Sequence, residues 1–160
     1  MEPLTSEPSR LLVFLNKIRA EGGGDFPEAV DDGLEMAIQK NAFRPAARKA
    51  VLLFGDAPPH ANRVMRCLEL AQGFHQGQHG FISTITCQSP WSLKEFQEIA
   101  RTGGGEAHVL SKPEMLMEDI VVAIFGERHR KDVFKFFDLS APSSGSPALK
   151  RPLLRTRVRE

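Results

Sequence analysis

The chain has 160 residues and a formal net charge of +1, with 41% hydrophobic and 26% charged residues. This length suits one compact domain, and the balanced charge gives no overall field that would attract nucleic acid or an anionic membrane. The two cysteines, Cys67 and Cys87, are too few for a disulfide framework or a four-sulfur zinc site. The sequence has no membrane span and no signal peptide, so we expect a cytoplasmic, reducing location.

The apolar pattern predicts helices and strands that alternate from residue 27 onward. The run AVLLF at 50–54 lacks polar alternation, which is typical of a parallel strand covered on both faces. Such alternation predicts a three-layer, Rossmann-like α/β fold, an open parallel sheet of about three strands flanked by helices. In chain order we predict helices over 9–20 and 27–39, a strand over 50–54, a helix over 62–75, a strand over 81–86, a helix over 93–101, a strand over 107–110, and helices over 114–125 and 128–137.

The C-terminal residues differ from the rest in composition. Residues 141–160 combine prolines and serines with five basic residues, and they show no apolar periodicity. Such a segment cannot bury enough apolar surface to offset its ordering entropy, so we expect a domain over 9–137 and a disordered basic tail over 138–160. The tail could touch RNA, a membrane or an acidic partner, or remain solvated. We predict no specific nucleic-acid partner.

A candidate site lies where the first predicted strand ends. Ligands of open parallel sheets bind at the carboxyl ends of the strands. That edge contains the turn GDAPPH at 55–60, the residues that follow Thr86, and the loop 22–26 if this loop folds alongside. Asp25 is also a plausible N-cap of the next helix, with Glu28 completing a capping box.

Two segments resemble a known family when they are taken together. EGGGDFPEAVDDGLEMAI at 21–38 and ARKAVLLFGDAPPH at 47–60 are similar to the von Willebrand factor type A domain, in particular to bacterial members with GGGD-x-PEA and GDAPPH motifs. The similarity extends through FISTIT and FQEIARTGGGEAHVL to IVVAIFG. The resemblance implies a mostly parallel sheet with a metal-ion-dependent adhesion site at its carboxyl edge, where Mg²⁺ bound through oxygen ligands holds a protein partner.

The resemblance carries over to this sequence only in part. Asp56 occupies the position of the family's late aspartate, and the loop that ends at Asp25 and Phe26 matches the loop that carries a threonine ligand. The family's D-x-S-x-S motif is absent from the chain. We therefore expect Asp56 and Asp25 to be the remaining candidate ligands of a weak, degenerate or lost Mg²⁺ site. The partner-binding edge is expected to comprise Gly23, Gly24, Phe26 and His60.

Only the C-terminal portion of the family's domain is represented in the similarity. In the family, the strand matching 50–54 lies beside a first strand that has no counterpart here, so 50–54 would be an exposed apolar edge. Either another chain completes the sheet, or the chain is a truncated gene model or a degenerate paralogue, and we favour truncation. The predicted function is a protein–protein interaction module without enzymatic activity. The alternative is a metal-assisted hydrolase that uses Asp56, Asp25 and His60.

Overall fold

A computed structural model of the chain describes residues 4–19, 26–88, 93–110 and 116–126. The predicted helix over 128–137, the tail over 138–160 and the loop residues 20–25 lie outside this description. The elements in chain order are α1 (Pro8–Lys17), α2 (Val30–Gln39), β1 (Lys49–Gly55), a short 3₁₀ helix (Ala61–Arg63), α3 (Val64–Gln78), β2 (Gly80–Thr86), α4 (Lys94–Thr102), β3 (Gly104–Val109) and α5 (Leu116–Phe125).

The described strands form one parallel sheet in the order β1-β2-β3. Leu52 of β1 lies opposite Ser83 of β2, and Thr84 of β2 lies opposite Ala107 of β3. Helices connect the strands, as parallel pairing requires. The predicted α/β fold with a three-stranded parallel sheet is confirmed.

Adjacent residues of the central strand contact opposite helical layers. The Thr84 hydroxyl donates to the carbonyl oxygen of Phe96 in α4 at 3.1 Å, and the Ser83 hydroxyl donates to that of Ala123 in α5 at 2.9 Å. Helix α4 therefore lies on one face of the sheet and α5 on the other, because side chains alternate between faces along a strand.

The main core lies on the α4 face of the sheet, where α2 and α3 also pack. Its members are buried apolar side chains from these helices and β2, among them Leu34, Phe74, Ile82, Phe96 and Ile99. Each such side chain stabilises the fold by about 1.5–3 kcal/mol through burial. Helix α1 differs, since Leu11 and Leu15 on this helix and Ile18 directly after it remain roughly half exposed.

Several predicted boundaries were wrong: α1 ends at Lys17 and not at residue 20, and α3 ends at Gln78 and not at residue 75. Helix α2 begins at Val30 and not at residue 27, and Ala29 occupies its N-cap position without a side-chain cap. Strand β3 begins at Gly104, whereas the sequence pattern predicts a strand only from residue 107. A Cβ at Gly105 would collide with the Ile82 carbonyl oxygen, so glycine permits a close approach of β3 to β2 there.

Candidate functional site

The turn after β1 and the segment before α2 meet at one edge of the sheet. The Glu28 amide donates a 2.9 Å hydrogen bond to the carbonyl oxygen of Pro58, and Glu28 and Pro59 form a parallel β-bridge. This bridge explains the late start of α2, because Glu28 is in strand-like pairing and is not in the first helical turn. The carboxyl end of β1 and the residues that follow the glycine loop therefore form a common rim.

A groove of about 380 Å³ opens at this rim, between the start of α2 and the end of β1. Leu53 and Phe96 contribute apolar lining, and Glu28 and Asp56 contribute carboxylates. The backbone of Gly55 comes close to the Phe96 ring, since a Cβ at this glycine would lie 2.7 Å from Cζ. The groove combines apolar and acidic groups on an open surface.

The described acidic groups of the rim do not by themselves form a magnesium site. Asp56 is exposed in the turn, Glu28 is exposed across the groove, and Asp25 lies outside the described residues. In the part of the chain that the structure describes, no group of three or more histidine, cysteine, aspartate or glutamate side chains could hold a metal ion. Mg²⁺ requires near-octahedral oxygen coordination, so the described acids alone do not fit it.

Glu28 is a rim residue that the sequence analysis did not assign to the site. We interpreted it as part of a capping box with Asp25, whereas the structure pairs its backbone with Pro59 and places it on the groove. No local sequence signal could have found this role, because the pairing joins Glu28 to a segment that is distant in the chain.

The structure describes two of the four residues predicted for the partner-binding edge, Phe26 and His60. Phe26 is 69% exposed on the segment that leads to the rim, and His60 is half-buried at the end of the turn. The His60 carbonyl oxygen accepts a 2.8 Å hydrogen bond from the Arg63 amide, which opens the 3₁₀ helix. Gly23 and Gly24 lie outside the described residues.

Two further apolar side chains are exposed close in sequence to the rim, and we did not predict them. Phe54, the penultimate residue of β1, is 42% exposed and lines the groove. Met65, in the first turn of α3, is 66% exposed. Aromatic residues and methionine are enriched at protein interfaces, so these residues add to the recognition character of this end of the sheet.

The thiol of Cys87 lies where β2 reaches the same end of the sheet. Its amide donates a 2.7 Å hydrogen bond to the Gly55 carbonyl oxygen. Burial raises the pKa of the Cys87 thiol, and the negative charge of Asp56 raises it further. The thiol is therefore neutral at pH 7, and it is a poor nucleophile or metal ligand in this environment.

No helix in the described segments is long and apolar enough to cross a membrane. Comparison with known families matches residues 2–112 to the von Willebrand factor A domain. This match covers more than half of the chain and includes α1 to β3, the rim and its groove. No curated protein matches the chain.

Proposed function

The chain belongs to the von Willebrand factor A domain family, and we propose that it is a protein-interaction module that binds its partner at the rim. Domains of this family are generally interaction modules without enzymatic activity. We propose that this chain, too, is not an enzyme. Its contacts to a partner would come from Phe26, Phe54, Asp56 and His60.

The observation that carries this proposal is the exposed apolar groove at the carboxyl end of β1. Phe54, which lines this groove, is 42% exposed, and Phe26, on the segment that leads to the rim, is 69% exposed. Exposed apolar surface rimmed by polar groups is characteristic of protein-interaction sites. The carboxylates of Glu28 and Asp56 beside this surface favour a partner that presents a basic side chain near an apolar one.

We further propose that metal dependence is reduced or lost in this chain. Support comes from the missing D-x-S-x-S motif and from the rim acids, of which the described residues supply only Asp56 and Glu28. If Asp25 joins them, a weak Mg²⁺ site would result, in which a carboxylate of the partner completes the coordination.

We also infer that the chain represents the C-terminal portion of a bacterial type of this domain. The motifs GGGDFPEA and GDAPPH support this assignment, and so does the three-stranded sheet of the described residues. The open side of β1 would then be the position at which a further strand of the family's sheet pairs.

Partner binding is tested by affinity capture with rim variants of the full chain. Wild type, Phe26→Asp, His60→Ala and the control Gln76→Ala would each be used to capture proteins from a cell extract. Gln76 is exposed on α3 near the opposite end of that helix. The proposal of partner binding at the rim is supported by a protein that wild type and the control retain but Phe26→Asp does not. The same protein, once purified, should also bind to purified wild type. Equal retention by Phe26→Asp refutes it.

The proposal of reduced or lost metal dependence is tested by isothermal titration calorimetry with Mg²⁺ and with Mn²⁺. Reduced metal dependence predicts a dissociation constant weaker than about 0.1 mM, because divalent cations bind tightly only with several charged ligands. Tighter binding that disappears in Asp56→Ala would contradict the proposal.

The absence of enzymatic activity is tested by a phosphatase and esterase screen with the same ions. Turnover that falls in Asp56→Asn would contradict the proposal that the chain is not an enzyme.

A further inference from the structure

Asp31 is a buried carboxylate in the first turn of α2. It is only 5% exposed, whereas the neighbouring Asp32 is exposed. An acid near a helix N-terminus interacts favourably with the helix dipole from an exposed position, as Asp32 does, and burying a carboxylate is unfavourable unless it is paired. The burial of Asp31 therefore indicates a role beyond its own helix.

Asp31 forms an ion pair with Arg63. Nη1 of Arg63 lies 3.4 Å from Oδ2 of Asp31, and the two side chains are 56% and 6% exposed, respectively. The Asp31 carboxylate also lies near Cys67 of α3, because burial raises the pKa of this thiol and the negative charge of Asp31 raises it further. Asp31 therefore faces α3 and the residues that lead into it.

Arg63 belongs to the connection between β1 and α3, of which we call residues 58–63 the rim segment. The Arg63 amide donates a 2.8 Å hydrogen bond to the His60 carbonyl oxygen, and its guanidinium makes the ion pair. At the other end of the rim segment, the Pro58 carbonyl oxygen accepts the 2.9 Å hydrogen bond from the Glu28 amide. The rim segment is therefore attached to the N-terminal end of α2 at two points, one through the backbone and one through an ion pair.

The composition of the rim segment limits how firmly its backbone is held. Pro58 and Pro59 have no N–H group, so they can accept hydrogen bonds but cannot donate them. Pro59 is buried but residues 61–63 are exposed, so packing holds the start of the segment and not its end. A side-chain contact at Arg63 fixes the end that packing leaves exposed.

A second ion pair lies one helical turn farther along both helices. Nη2 of Arg66 is 2.8 Å from Oε1 of Glu35, and the two side chains are 42% and 39% exposed. The Asp31–Arg63 pair differs from it in two respects, because its acid is buried and its base belongs to the rim segment. Both pairs have a partly exposed base, so neither is expected to contribute much to overall stability.

We propose that Asp31 and Arg63 are positioning residues of the rim, whose ion pair holds the rim segment against α2 and thereby fixes the turn that carries Asp56 and His60. The inference rests on the proposed function, because it names the contact that keeps the partner-binding edge in one conformation. Loss of the pair should release the rim segment while the sheet stays folded, since neither residue belongs to the apolar core.

The first test measures opening of the rim segment by amide hydrogen exchange of the full chain. The Glu28 amide reports on it, because it is bonded to Pro58. Arg63→Ala and Asp31→Asn should each speed up exchange of this amide about two- to fivefold, with the β2 amides unchanged. The first change removes a positive charge and the second a negative one, so a purely electrostatic effect on exchange would have opposite signs. Arg66→Ala, which removes the neighbouring pair, is the matched control and should leave the Glu28 amide unchanged.

The second test asks whether the two residues act through their mutual charge. The double variant of Asp31→Asn and Arg63→Ala should exchange at Glu28 about as fast as either single variant, because the same pair is lost in each case. Arg63→Lys keeps the charge and should restore most of the protection. Salt at about 1 M should accelerate exchange in wild type but not in Arg63→Ala, since it screens a partly exposed pair.

Three results would each overturn the inference: an unchanged Glu28 amide in Arg63→Ala, additive effects in the double variant, or equal acceleration by Arg66→Ala. The exchange experiments need no partner. A capture experiment in which wild type retains no protein would therefore refute the proposed function alone, and the exchange rates would still decide whether the ion pair positions the rim.

Discussion

Replacing Gly105 by alanine should strongly destabilise the protein. Gly105 lies near the start of β3, where the pairing with β2 is irregular between Ile82 and Thr84. A Cβ at this position would collide with the Ile82 carbonyl oxygen and would lie 2.8 Å from the Ser83 hydroxyl oxygen. The first of these contacts is with backbone, so a change of rotamer cannot relieve it, and β3 itself must move.

The size of the effect follows from two costs. Overpacking against a fixed backbone costs about 1–3 kcal/mol. Moving β3 also breaks the 3.3 Å hydrogen bond from the Glu106 amide to the Ser83 hydroxyl, which contributes about 1 kcal/mol. Gly105→Ala should therefore lower the free energy of unfolding by about 2–4 kcal/mol, a large fraction of the stability of a small domain.

Gly73→Ala provides a matched control with the opposite sign. Gly73 is exposed within α3, and a Cβ there would meet no atom within 4 Å. Alanine should stabilise this helix by about 0.8–1 kcal/mol through its propensity. Urea unfolding monitored by circular dichroism measures both variants, with the denaturant slope checked for constancy. A Gly105→Ala protein within about 0.5 kcal/mol of wild type would refute the close approach of β3 to β2.

Three further predictions concern the buried thiol and its neighbours. Burial, reinforced by the negative charge of Asp31, raises the pKa of the Cys67 thiol from 9.0 to about 11. A thiol reagent at pH 8 should modify the partly exposed Cys87 slowly in the native state and reach the buried Cys67 only on unfolding, and rapid modification of Cys67 in the native state would contradict this. As pH rises from 9.0 towards about 11, the unfolded thiol ionises before the folded one, so the free energy of unfolding should fall. Cys67→Ser should lack this fall, and an identical pH profile would argue against it. Arg63→Ala should cost less than about 1 kcal/mol in urea unfolding, because the arginine of its 3.4 Å ion pair with Asp31 is more than half exposed; a loss above 2 kcal/mol would contradict it.

The fold was predictable where a single segment carries its own pattern. The unbroken apolar run of β1 and the β-branched run of β2 are each found within one residue of the predicted bounds. Helices α3 and α4 also follow their apolar periodicity, with Cys67 and Phe74 of α3 and Phe96 and Ile99 of α4 buried. Local patterns suffice for these elements because each strand is covered by helices and each helix has one buried face.

The boundaries of α2 and β3 depend on contacts between distant segments, and sequence patterns do not contain them. The start of α2 is set by the pairing of Glu28 with Pro59, and the start of β3 by the approach of Gly105 to Ile82. The same limit applies to the site. Asp56 could be predicted at the rim, because parallel strands end at a shared edge of the sheet. The exposure of Phe54 could not be predicted, because it depends on which segments pack beside β1.

The buried hydroxyl groups of the central strand β2 fix how this strand is aligned with the helices on its two faces. β2 is buried on both faces, so a slip by one residue would cost little apolar burial and could interchange its two faces. Thr84 and Ser83 prevent this ambiguity, because each hydroxyl finds a carbonyl oxygen on only one layer, in α4 or in α5. Valine at position 84 would keep the volume and remove this discrimination. These buried hydroxyls thus contribute less to the strength of the fold than to its uniqueness.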